Sequence, residues 1–220
     1  MTVAASLAEV NARIADACAR AGRDAAEVTL VAVSKRQPDA SLRAAYAAGQ
    51  RDFGENFVQE FERKRSLLPD DARWHLIGNV QSNKAKRAAV ADVVHTIDSE
   101  KLLRRLSDAR EGAPLEVLVQ VNTEGEDAKS GVAPAGAEAL IRAALALPNV
   151  VPRGLMCIPP RGVTRAAFAA LRALAADLEG RVQAPLPVLS MGMSSDFEAA
   201  IEEGATLVRV GTAVFGARQT

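Results

Sequence analysis

"LSMGMSSDFEAAIEEGATLVRVGTAVFG", residues 189–216, contains one complete repeat of an alternating fold. A first apolar run ends at Gly192. Ser194 or Ser195 stands where a helix N-cap belongs, Asp196 and Glu198 fill an acidic first turn, and Gly204 follows as a stop signal. A second apolar run then closes on Val210-Gly211-Thr212. A strand, a helix and another strand joined by short connections read as a βα unit, the module of a parallel sheet.

The same alternation extends back through the chain. The spacing predicts strands over 28–35, 51–56, 73–78, 93–98, 115–122, 152–158, 187–192 and 206–211. Helices are predicted over 39–48, 56–67, 82–91, 99–109, 135–146, 165–178 and 195–203. An N-terminal helix precedes them, with Leu7, Val10, Ile14 and Ala17 along one stripe. Such a sheet either closes into a barrel or stays open and doubly wound. No G-x-G-x-x-G follows the first strand to support the open form, and 220 residues lie near the lower end for a barrel. The expectation is an α/β fold of one domain, residues 1–220: a single (β/α)8 TIM barrel with an added N-terminal helix.

Bulk properties narrow the function. Twenty-seven Lys and Arg balance 27 Asp and Glu, so net charge offers nothing to hold nucleic acid or an anionic membrane. No run reaches the roughly 18 uncharged apolar residues of a membrane span, and the N-terminus has helical spacing instead of a secretory core. Two cysteines, Cys18 and Cys157, make no disulfide framework, which fits the cytoplasm.

In a barrel the chemistry lies where strands give way to βα loops. Lys35, Asn56, His75, His95, Asn122, Met156, Ser190 and Arg209 all fall at or near such ends, and so are expected around one mouth. The last two loops offer Ser194, Ser195, Gly211 and Thr212, hydroxyls and small residues of the kind that form a phosphate cup in barrels; equally, serine before an acidic turn is how an ordinary helix begins. Period-2 alternation puts Leu207, Arg209 and Gly211 on one face and Val208 and Val210 on the other, both dry. A buried guanidinium there needs a partner, either a cross-barrel salt bridge or a ligand. Lys35, ending "LVAVSK" (30–35), is either an exposed loop lysine or a Schiff-base lysine whose amine burial and a nearby cation would keep partly neutral. Lysine, cup and arginine together describe an aldehyde with a phosphate tail: a sugar phosphate or pyridoxal 5′-phosphate.

"VAVSK", "FGEN" with "VQE" (53–60), "WHLIGNVQSNK" (74–84), "HTIDS" (95–99), "GLMCI" (154–158), "LSMGMSSDFEAAI" (189–201) and "VRVGTAVFG" (208–216) together resemble the pyridoxal phosphate homeostasis protein family over nearly the whole chain. The resemblance implies a barrel similar to the N-terminal domain of alanine racemase with pyridoxal phosphate at its mouth. It implies that Lys35 holds the cofactor as a Schiff base, that Ser194, Gly211 and Thr212 take the phosphate, and that Arg209 faces the pyridine nitrogen. Asn56, Met156 and Ser190 would surround the ring, and His75 would contact it or support it from below. An arginine at that nitrogen makes the ring a weaker electron sink. A racemase needs a second base opposite the lysine, yet Tyr46 reads as mid-helix packing and Cys157 as core. The implied role is therefore cofactor buffering or delivery, perturbing amino-acid and keto-acid balance, with a weak fold-type III enzyme such as an amino-acid racemase as the alternative. Expected partners are the cofactor and apo forms of enzymes that use it, with the chain a monomer or weak dimer.

Overall fold

The computed structural model describes residues 1–123, 130–159 and 164–217; the remainder of the expected 1–220 domain lies outside the described residues. Eight parallel strands close into a barrel in sequential order: β1 (Thr29–Val33), β2 (Asp52–Glu55), β3 (Arg73–Leu76), β4 (Val93–Ile97), β5 (Leu115–Gln120), β6 (Val150–Met156), β7 (Val188–Ser190) and β8 (Leu207–Val210). The seam pairs β1 with β8, Val31 opposite Arg209. This is the predicted closed barrel. Closure leaves no unpaired sheet edge, so the apolar strands present no template for aggregation.

Around the strands run α1 (Val3–Arg20), α2 (Asp39–Ala47), α3 (Val58–Arg65), α4 (Ala85–Ala88), α5 (Glu100–Ala109), α6 (Pro134–Leu145), α7 (Thr164–Val182), α8 (Phe197–Glu202) and α9 (Thr212–Phe215). Several differ from the sequence expectation: α9 has no predicted counterpart, and α7 runs past the predicted end at 178 to Val182. The helix predicted over 82–91 is a 3-10 turn, Ser82–Lys84, followed by the single turn of α4. The helix predicted from 195 begins at Phe197: Asp196 stands at the N-cap position, and its carboxylate turns back to accept the Met193 N–H at 2.6 Å instead of a helix N–H. Among the described residues no helix is long and apolar enough to cross a membrane.

Side-chain alternation sorts the strands into two cores. Val208 and Val210 pack outward among buried helix residues such as Phe197, Ile201 and Val214. Val93, Leu118 and Met156 form a smaller cluster of their own. The predicted α1 stripe is buried as Leu7, Val10, Ile14 and Ala17, joined by Cys18. Burying three large aliphatics contributes about 1.5–3 kcal/mol each. α1 is also tied to α8: Arg13 reaches Glu198 at 2.7 Å, and Arg20 reaches Glu198 and Glu202. Helix α8 ends as a Schellman motif, with Gly204 at φ 99°, its N–H on Ile201 O and the Ala205 N–H on Ala200 O. Gly204 is thus the stop that the sequence predicts. The consequence is a firmly anchored helix directly after the loop that carries Ser194.

Candidate functional site

A cleft of about 320 Å³ opens at the C-terminal ends of the strands, within the size range of small-molecule sites. Its polar wall comes from Lys35, Asn56, Ser194, Ser195, Arg209 and Thr212, with the backbone of Gly211 between the last two. Val33, Ile77, Ile158 and Met193 supply the apolar wall, and the last two are partly exposed at the rim. Lys35 is half-buried and points its side of the loop into this cleft. Asn56 Oδ1 is buried there without a hydrogen-bond partner.

The serine loop is shaped by one glycine. Gly192 ends the β7 segment at φ 90°, and a Cβ there would stand 2.6 Å from Ala200 Cβ and 2.9 Å from Phe197 Cα. Only glycine lets α8 come this close. Ser194 does not take the helix-capping role that the sequence allowed; its Oγ instead accepts the Gly211 N–H at 3.2 Å. The two loops expected to form the cup are therefore joined to each other. No side chain caps α9 behind Gly211.

Arg209 is 4 % exposed, and its question is answered by its contacts. Its guanidinium donates to Ser190 Oγ at 2.6 Å and to Cys157 O at 2.9 Å, with no carboxylate at salt-bridge distance among the described residues. The cross-barrel salt bridge does not form, and burial pulls the guanidinium below its usual range. From Ser190 a hydrogen-bonded chain descends through the barrel: Ser190 Oγ to His95 Nδ1, His95 Nε2 to His75 Nδ1, and His75 Nε2 to Asp52 Oδ1, each 2.9 Å. Arginine has no acceptor and a carboxylate no donor, so with both rings uncharged every proton points from Arg209 toward Asp52. Burial holds the His95 ring well below its ordinary pKa, which keeps it neutral.

The structure thus divides the residues expected at the mouth. Lys35, Asn56, Ser194, Arg209, Gly211 and Thr212 meet at the cleft. Met156 and Ser190 do not line it: both are fully buried, Met156 against Val93 and Leu118, Ser190 beneath Arg209. His75 and His95 lie in the same lower layer, and His75 also borders a second cavity at the opposite end of the barrel. These side chains point into the closed barrel, Met156 and Ser190 even from the last residues of β6 and β7, so position along a strand does not by itself set depth. Tyr46 sits on α2 away from the cleft, its hydroxyl on Asp71 and its ring under Arg51. Cys157 belongs to the helix-side core, and burial pushes its thiol up to about 12. Neither offers a base opposite Lys35. Sequence reasoning missed the Asp52 end of the histidine chain, for which strand position gave no signal. It also missed Ile77 and Met193 as wall residues, whereas Ser195, offered with Ser194 for the cup, does line the cleft.

Comparison with known proteins agrees with this geometry. Residues 6–219 match the family model of the alanine racemase N-terminal domain. The chain is 51 % identical to the pyridoxal phosphate homeostasis protein of Pseudomonas aeruginosa, covering 99 % of this chain and 96 % of that one. It is 43 % identical to the protein of the same name from Escherichia coli, over 98 % and 97 %. PipY of Synechococcus elongatus, solved with PLP bound, superposes with a TM-score of 0.84 at 41 % identity, covering 98 % of this chain and all of that one. Alanine racemase from Corynebacterium glutamicum shares the fold, with a TM-score of 0.74 at 18 % identity over 64 % of its length. With these full-length identities, this barrel and the motifs gathered at its mouth, the chain belongs to the pyridoxal phosphate homeostasis protein family.

Proposed function

We propose that the chain, acting as one cytoplasmic domain over residues 1–220, binds pyridoxal 5′-phosphate as a Schiff base on Lys35 and buffers or delivers it without robust turnover. The observation that carries this reading is the meeting of Lys35, Arg209 and the Ser194, Gly211 and Thr212 cup in a single cleft. The donor set fits the group: an amine for an aldehyde, hydroxyls and backbone N–H groups for a phosphate, and a cation for an electron-rich ring nitrogen. Asn56 Oδ1, buried without a partner, is an acceptor that a ligand donor would satisfy. Ser190 and Met156 act from below, the first by holding Arg209 and the second by filling the barrel.

Bound there, the cofactor supplies a carbonyl carbon to amines and a ring that delocalises charge. What the chain adds is selective. Arg209, fixed by Ser190 and Cys157 O, keeps a cation where a ring proton would otherwise reside, which weakens the ring as an electron sink. Among the described residues the ionisable side chains lining the cleft are Lys35, Asp196 and Arg209, and Asp196 is occupied by the Met193 N–H. An acid and base on opposite faces of an α-carbon, as racemisation demands, is not assembled. Isotope exchange at the α-carbon of added amino acids should stay at background; exchange above that level would favour the racemase alternative.

The decisive experiment is a spectroscopic titration of the parent and Lys35→Ala with pyridoxal phosphate. A visible band in the parent that borohydride converts to a stable adduct on the Lys35 peptide, and its loss in the variant, supports the reading. An equal band in both proteins, or an adduct elsewhere, overturns it.

A further inference from the structure

Lys35 sits in a turn that is strained and held from below by buried charge. The Gln37 N–H donates to Ser34 O at 3.0 Å, closing the turn Ser34-Lys35-Arg36-Gln37, and Arg36 lies at φ 57°. That third position ordinarily takes glycine or asparagine, since a side chain with its Cβ there is crowded by the backbone. Beneath the turn lies Lys64, a fully buried ammonium on α3. Its three protons are all accounted for: Ser34 O at 2.5 Å, Glu55 Oε1 at 2.8 Å and Glu60 Oε1 at 2.7 Å. The two carboxylates grip the same turn. Glu55 Oε1 accepts the Ser34 hydroxyl at 2.6 Å, and Glu60 Oε1 accepts the Arg36 N–H at 2.7 Å.

We propose that Lys64, Glu55 and Glu60 form a buried clamp that positions Lys35, so that its amine faces the cleft ready to condense with an aldehyde and release water. The three are positioning residues and touch no ligand. A buried ion pair is weak evidence of stability, because well-packed apolar replacements are often as stable. Here, however, the ions spend their hydrogen bonds on Ser34 and Arg36, the two neighbours of Lys35. Glu60 and Lys64 reach them together because they are one helical turn apart on α3. The strained Arg36 conformation is what such a grip is needed to maintain.

This inference rests on the assignment of Lys35 as the cofactor lysine, and the test separates the two. Parent, Lys64→Met/Glu55→Gln and Glu60→Ala proteins are compared by two readouts. One is the rate at which borohydride-trapped pyridoxal phosphate appears on the Lys35 peptide. The other is the affinity for pyridoxine 5′-phosphate, which carries the phosphate and ring but an alcohol in place of the aldehyde. The clamp predicts that the trapping rate falls about tenfold or more while pyridoxine 5′-phosphate affinity stays within about twofold. Glu60→Ala leaves the Lys64–Glu55 pair intact and gives the answer even if the double variant does not fold. An unchanged trapping rate in a folded variant overturns the clamp alone, as does a parallel loss of both readouts, which marks general damage to the cleft. No adduct on Lys35 in the parent overturns the cofactor assignment, and the clamp with it.

Discussion

The most unusual residue environment is that of His95, a neutral ring sealed between Ser190 and His75. Its consequence is a pH dependence. In the unfolded chain such a ring titrates near 6.5, whereas burial holds it well below that in the fold. Below the unfolded value the unfolded state binds a proton that the native state refuses, so stability is present above pH 6.5 and is lost as pH falls toward the folded value. One such proton is worth up to about 1.4 kcal/mol per pH unit. Urea unfolding between about pH 7 and pH 5 should show this slope in the parent and a flatter one in His95→Gln. Identical slopes would mean that His95 is not a buried neutral ring. Carboxylates held low by arginines, Glu198 and Glu202 among them, enter only at more acidic pH, so they do not confuse this window.

At the scale of elements, the junction of β7 with α8 decides the cup. Gly192 and Gly204 both have positive φ, yet their surroundings differ. A Cβ at Gly192 would collide with Phe197 backbone and Ala200, whereas at Gly204 its nearest neighbour is the flexible end of Arg172 at 3.0 Å. Gly192→Ala should therefore destabilise the fold by about 2–4 kcal/mol and weaken binding of phosphate esters by shifting Ser194. Gly204→Ala should cost about 1 kcal/mol, from backbone strain alone, and leave phosphate-ester affinity near that of the parent. Thermal denaturation with calorimetric titration of pyridoxine 5′-phosphate distinguishes them. Equal affinity losses in both would remove the special role of the β7–α8 junction.

For the whole molecule, what counts is where the barrel places its open end. Ile158 and Met193 are 44 % and 36 % exposed at the rim, so an occupant of the cleft keeps one side toward solvent. The opposite end carries its own cavity, but the histidine chain and the Val93, Leu118 and Met156 cluster fill the interior between them. Release must then occur through the upper mouth. If the protein delivers its cofactor, an apo-enzyme mixed with the loaded protein should regain activity faster than free release into buffer allows. Stopped-flow mixing against a dissociation control checks this, and equal rates would reduce the role to buffering. α1 adds rigidity by packing on α8, and its half-exposed arginine pairs, screened by solvent, add little to that packing.

The sequence by itself determined the barrel, because eight apolar runs alternating with helical stretches leave few ways to bury every face, and local signals such as Gly204 act within a single turn. It also determined which loops hold the lysine, the serines and the glycine of the cup, since strand ends and barrel topology bring them to one mouth. The helix over 82–91 and the start of α8 were not legible, because the 3-10 turn before α4 and the turn of the Asp196 carboxylate back to the Met193 N–H are local choices that periodicity does not encode. Only the tertiary structure decided the depth of each residue. Ser190, Met156, His75 and His95 share strand positions with cleft residues yet lie a layer below, because strand stagger and inward alternation set depth, and both are properties of the closed sheet. The Lys64 clamp is likewise invisible in sequence: a lysine amid the charged residues of α3 reads as solvated until three acceptors from the turn after β1, from β2 and from its own helix are found around its ammonium.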